Sequence, residues 1–189
     1  MSVGGEAAAG VRNRPRRAFG VAVSAVLVLV AVFLATQGGD GGDTPQAIDT
    51  SPHLVDVGDL TALEGSLGHE VYWAGEQPPD RLELTEEADT SIYLRYLPPG
   101  VEAGDPRPQF LTVGTYPVAD AVGALRRTAA KTGSTLGHTA DGGVVLVNHS
   151  SGGSVYLAYP GSDLQIEVYD PAPGRALALV RSGAVRPVG

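Results

Sequence analysis

The chain has 189 residues and a formal charge of −8, from 21 acidic against 13 basic side chains, and it contains no cysteine. The missing cysteines exclude disulfide staples, thiolate chemistry and cysteine-bearing zinc sites. Setting aside Glu6 and the four arginines of the first seventeen residues leaves twenty acidic against nine basic side chains for residues 37–189. A surface of that sign gains nothing from counterion release on nucleic acid, and anionic lipid headgroups repel it.

The first element in chain order is residues 18–36, AFGVAVSAVLVLVAVFLAT, nineteen residues without a charge behind the basic cluster Arg12, Arg14, Arg16 and Arg17. As a helix this segment reaches roughly 28 Å, close to the ~30 Å hydrocarbon core of a bilayer. The alternative is a cleaved secretory signal. The apolar run exceeds the ~7 to 15 residues of a signal h-region, and Leu34-Ala35-Thr36 lacks the small-x-small cleavage pattern, which favours an uncleaved anchor. With the arginines on the amino side, residues 1–17 are expected in the cytoplasm and everything after Thr36 outside the plasma membrane, a single-pass protein held in the lipid bilayer by residues 18–36.

Residues 37–52 read QGGDGGDTPQAIDTSP and offer nothing to bury. As a flexible linker they span roughly 20 to 24 Å r.m.s.. Residues 53–189 then suffice for one outer domain. Its first helix is expected over Asp59–Leu67, with Asp59 as N-cap and Gly68 closing it. Strands are expected at Glu70–Trp73, Arg81–Glu86, Ser91–Leu97 and Gln109–Tyr116, the last two separated by the proline-rich loop 98–108. Pro117 is expected to open a helix running to Thr132, with Val118, Ala121, Val122, Leu125 and Ala129 on one stripe and Gly133 ending it. A weak segment at 135–140 precedes strands at Val144–Asn148, Ser154–Tyr159 and Leu164–Tyr169. Asp170 and Pro171 are expected to cap a final helix to Ser182.

Ser91-Ile92-Tyr93-Leu94-Arg95-Tyr96 matches Ser154-Val155-Tyr156-Leu157-Ala158-Tyr159 at four of six positions. Each segment is followed by a strand ending in tyrosine, Tyr116 or Tyr169, and then by a proline. That shared order points to an internal duplication, against the alternative of chance similarity between two tyrosine-rich strands. The fold class expected is α+β, an antiparallel sheet with helices on one face and a wet second face. Period-two alternation sends Ile92, Leu94, Tyr96, Val155, Leu157 and Tyr159 inward. It leaves Tyr93, Arg95, Tyr116, Tyr156 and Tyr169 on the opposite register.

Chemistry-bearing motifs are sparse. His53, His69, His138 and His149 lack metal-pair spacing, so no metal is expected, and no cofactor motif occurs. Glu86, Glu87 and Asp89 lack the glycine-punctuated spacing of a calcium loop and read as a solvated turn. There is no G-x-S-x-G elbow and no phosphate loop with lysine. Asn148-His149-Ser150 matches a glycosylation acceptor that matters only in a eukaryotic secretory route. Trp73 reads as a core anchor before a ligand platform. The segments His69–Gly75, Tyr93–Gly100 (YLRYLPPG) and Tyr156–Asp170 (YLAYPGSDLQIEVYD) resemble uncharacterised membrane-anchored outer-domain proteins of GC-rich actinobacteria. The resemblance implies an anchor and an outer location and brings no activity.

Two functions remain open on these residues. One is a membrane-tethered binding or interaction domain whose outward tyrosines and Arg95 meet an envelope protein partner, tyrosine and arginine being what interfaces favour. The other is a cell-envelope enzyme using carboxylates or a histidine that only the fold brings together. The tyrosines also read as cross-strand pairs that stabilise the sheet.

Overall fold

The computed structural model describes residues 50–148 and 153–189. The expected span 18–36, Arg12, Arg14, Arg16, Arg17, most of the linker and His149-Ser150 of the acceptor sequence lie outside the described residues. Among the described residues no helix is long and apolar enough to cross a membrane.

The described chain is α+β, with a mostly antiparallel sheet and three helices. The order is β1 (His53–Val55), α1 (Val57–Leu67), β2 (Tyr72–Trp73), β3 (Arg81–Glu86), β4 (Ile92–Leu97), β5 (Thr112–Pro117) and α2 (Ala121–Thr132). There follow β6 (Thr135–His138), β7 (Val144–Val147), β8 (Ser154–Ala158), β9 (Leu164–Tyr169), α3 (Arg175–Arg181) and β10 (Arg186–Pro187). Eight strands form one sheet in the order β1-β3-β4-β5-β9-β8-β7-β6, and β2 pairs with β10 in a small second sheet.

Local chemistry moved several boundaries. Asp56, and not Asp59, caps α1: its carboxylate accepts from Asp59 N while Asp59 accepts from Asp56 N, a reciprocal capping box that starts the helix two residues early. Gly68 closes α1 in the left-handed region, φ 73°, as expected. Pro117 ends β5 instead of opening a helix, because Val118 N donates to Asp163 O and holds the chain extended. The helix therefore waits for Asp120, whose side chain accepts from Gly123 N. Likewise α3 begins at Arg175 and not beside Asp170, since Pro173 biases Ala172 away from helical geometry. The weak segment became the edge strand β6, and β1 and β10 were not expected at all.

The two halves of the sheet share one register. The sequence repeat aligns Ile92 with Val155 and Thr115 with Val168, and the sheet pairs Ile92 with Thr115 and Val155 with Val168. The central strands β5 and β9 pair antiparallel with Gly114 opposite Glu167, so strand order reads the same outward from that pair in both directions.

The helices do not lie on one face, which corrects the expected architecture. On the front face, Leu84, Ile92 and Leu94 pack with Leu60 of α1, and Val113, Val155, Leu157, Ile166 and Val168 pack with Ala176 and Val180 of α3. On the back face, Ala121, Leu125 and Ala129 of α2 cover Val144, Leu146 and Ala158. The reason is topological. The path β5-α2-β6 joins two parallel strands across β9, β8 and β7, and such crossovers are confined to one hand, hence to one face. The α3 helix closes no crossover and packs on the other side, beside β2 and β10. Trp73 is 5 % exposed in the front core, with the Arg186 guanidinium 5.9 Å from its ring centre.

Candidate functional site

On the back face α2 covers β6 to β9 but leaves β3, β4 and β5 without a helix. Register places Thr85, Tyr93 and Gly114 of this region in one row with Glu167 of β9 and Tyr156 of β8, the last packed against α2. The neighbouring row is Glu83, Arg95, Thr112, Tyr169 and Ser154. All five residues expected on the outward register, Tyr93, Arg95, Tyr116, Tyr156 and Tyr169, do share this face, and all are half-buried.

The two rows differ in what covers them. Loop 98–111 folds over the second row: Gly104 N donates to Glu83 Oε2, Arg95 Nη2 donates to Asp105 O at 2.6 Å, and Tyr169 OH donates to Pro108 O at 2.8 Å. Glu83 is fully buried and faces Arg95 Nη1 at 2.9 Å. That contact is an ion pair by distance without the alignment of a hydrogen bond. The buried Phe110 ring lies under both guanidiniums, 5.0 Å from Arg95 and 5.8 Å from Arg107. Arg95 is thus committed to a buried carboxylate, the loop carbonyls of Asp105 and Arg107, and a ring. A strand assignment at Arg81–Glu86 does not show this, because the cover over Glu83 comes from a loop about twenty residues further along the chain.

The first row stays clear of the loop and is organised by Glu167. Tyr116 OH donates to Glu167 Oε2 at 3.0 Å and Ser154 Oγ donates to Oε1 at 2.8 Å. Tyr93 meets the Tyr116 ring edge-on, centroids 5.5 Å apart. Gly114 makes this possible: a Cβ there would stand 2.5 Å from the Tyr116 hydroxyl, so the ring lies across the strand only over a glycine. Burial and then the Glu167 charge push the phenols of Tyr116 and Tyr156 well above their ordinary value of 10. Burial raises Tyr93 as well, and the carboxylates acting on it, Glu87, Asp89 and Glu167, all add to the rise. At neutral pH the row presents neutral hydroxyls around an acidic centre. Among the described residues no lysine or arginine forms an ion pair with Glu167.

A second locus bears on catalysis. A recess on α1 and the following turn is lined by Thr61, Glu64, Gly65, Gly68, His69 and Glu70. It gathers a histidine and two carboxylates, as the enzyme reading requires, and each of the three also makes a hydrogen bond within the local fold. Glu64 Oε1 accepts from Val71 N at 2.7 Å, Glu70 Oε2 accepts from Tyr72 OH at 2.9 Å, and Thr61 Oγ1 donates to Val57 O at 3.0 Å. His69 Nδ1 bonds Glu70 O at 2.9 Å, and Nε2 is shielded from solvent. Because a carbonyl only accepts, Nδ1 carries the proton in that bond, and Nε2 is left without a hydrogen-bond partner among the described residues. No cluster of three or more metal-ligating side chains occurs among the described residues. Comparison with protein-family models, with curated proteins and with solved structures returns no match.

Proposed function

We propose that this chain is a single-pass, membrane-tethered interaction domain, held by residues 18–36 with its C-terminal domain outside the plasma membrane. Its docking face is the open back of β3–β5, and its partner is an envelope protein. The observation that supports this most is the row that runs from Tyr93 and Gly114 on the helix-free strands to Glu167 and to Tyr156, which packs against α2, an aromatic surface around a carboxylate that no cation neutralises within the described residues. Aromatic side chains at the centre of a polar rim are what interfaces favour. We also infer that the two halves of the sheet arose by duplication, supported by the shared register and the repeated SIYLRY and SVYLAY words. The resemblance to actinobacterial membrane-anchored outer-domain proteins is consistent with the same reading.

The test is photocrosslinking in intact cells with a benzophenone amino acid at position 93, against position 61 on α1 as the control. A discrete adduct at 93 that is absent at 61 is the expected result, and equal labelling at both ends the docking claim. Topology is tested separately by a reporter fused after Gly189. Reporter activity outside the cell is expected, and a cytoplasmic signal overturns the orientation.

The second reading is an envelope enzyme at the His69 recess, favoured by the meeting of Glu64, His69 and Glu70 there. It ranks below the first because each of the three side chains already makes a hydrogen bond that holds the local fold.

A further inference from the structure

Among the described residues the sheet has two free edges, and they are not alike. Strand β1 has three residues and follows Pro52 directly, and a short strand beside a proline resists pairing with a further chain. Strand β6, Thr135-Leu136-Gly137-His138, has neither a proline nor an acidic or lysine side chain to block its edge. Thr139 N donates to Gly143 O at 2.9 Å, which fixes the alternation along the β6–β7 hairpin. Counting back from there, Gly137 and Thr135 exchange bonds with Val145 and Val147, while the N–H and C=O of Leu136 and His138 point away from the sheet. Leu136 is 39 % exposed, one of two large exposed hydrophobic side chains among the described residues.

Behind this edge, on the front face, a cavity of about 80 Å³ lies between β6, β7 and α3. Its apolar wall is Val145, Val147 and Leu177, and Arg181 stands at its rim. Gly137 opens it: a Cβ built there meets no atom within 4 Å. The volume is well below the ~150 Å³ that holds benzene, which suits one branched aliphatic side chain. Arg181 is exposed and, unlike Arg95, Arg107, Arg127 and Arg175, forms no ion pair among the described residues.

We propose that the β6 edge and the α3 groove together form a strand-addition site for an extended acidic-apolar segment of another protein. The segment pairs with the backbone of Leu136 and His138, places an aliphatic side chain in the cavity, and sets an aspartate or glutamate two residues away against Arg181. The spacing fits. Leu177 and Arg181 are one helical turn apart, about 5 to 6 Å, and residues i and i+2 of a strand lie about 6.6 Å apart on one face. Backbone bonding supplies affinity in this mode and the alternate side chains supply selection. Charge selects acid over base, because the only ionic group lining the cavity besides His138 is the Arg181 guanidinium.

The experiment uses the full chain in mild detergent and two peptides, acetyl-Thr-Leu-Thr-Asp-Thr-amide and its reversed order, with lysine replacing aspartate as the control. Amide hydrogen exchange is read by NMR at each residue. At least tenfold slower exchange of the Leu136 and His138 amides with one acidic order is expected, with at least tenfold weaker binding of the lysine peptides. Gly137→Leu, which fills the cavity, and Arg181→Glu, at an exposed position, should each cost at least tenfold in affinity with little change in melting temperature. Unchanged exchange at Leu136 and His138 with millimolar peptide overturns the proposal. So does protection of those amides before any peptide is added, which means a second copy covers the edge. Protection at Tyr93 and Tyr116 instead also overturns it, and assigns the peptide to the back face.

Discussion

Removing the Arg95 guanidinium strands a carboxylate that has no access to water. Glu83 is fully buried and the Arg95 side chain is 20 % exposed. Breaking one side of such a pair costs about 3–5 kcal/mol. Gly104 N–H remains as a donor to Glu83, which holds the loss near the lower end. Arg95→Ala also forfeits the stack on Phe110, about 0.5–1 kcal/mol, and the two carbonyls of loop 98–111. The sum is about 3–4 kcal/mol, or about 10 °C in melting temperature for a domain of this size. Adding Glu83→Leu removes the stranded charge and should return more than half of the loss, since apolar replacement of a buried pair is often close to neutral. Urea and thermal unfolding followed by near-UV circular dichroism measure both variants. A loss below 1 kcal/mol for Arg95→Ala, or a double variant no more stable than the single, refutes the account of Arg95 as the clamp that holds the proline-rich loop.

Gly114→Val should drive the Tyr116 ring off the strand and cost about 2–3 kcal/mol, with loss of the Tyr93–Tyr116 contact in aromatic NMR shifts; a full-strength contact in the variant sinks the idea that the glycine exists for the ring. Alkaline pH should unfold the domain cooperatively. Burial raises the phenols of Tyr72, Tyr93, Tyr96 and Tyr116 above 10, and that of Tyr159 to about 12. The folded state therefore keeps protons that the unfolded chain releases. The stability these groups contribute is intact below pH 10 and is lost as pH rises through the folded values, by up to about 1.4 kcal/mol per pH unit each for Tyr96 and Tyr116. Absorbance at 295 nm should rise with the loss of circular dichroism, and full phenolate formation at pH 11 in a still-folded protein contradicts it.

The strand-level plan was legible because it rests on local chemistry. Period-two alternation identified β3 and β9 to the residue, and the repeated SIYLRY and SVYLAY words carried the register that β4 and β8 share. Gly68 and Gly133 ended their helices where a left-handed residue was needed. The same alternation put Tyr93, Arg95, Tyr116, Tyr156 and Tyr169 on one face. What alternation does not encode is what lies over that face. The side taken by α2 follows from a crossover between parallel strands, a property of chain path that no window of residues contains. Glu83 is buried only because loop 98–111 closes over it, and Glu167 acquires its role only when β5 and β8 flank β9 and bring Tyr116 and Ser154 to its two oxygens. Sequence determined which side chains share a surface, because that depends on neighbours two positions away. Tertiary structure alone decided which of them are spent on the fold and which remain open, because that depends on groups distant in the chain competing for the same hydrogen bonds and the same cover.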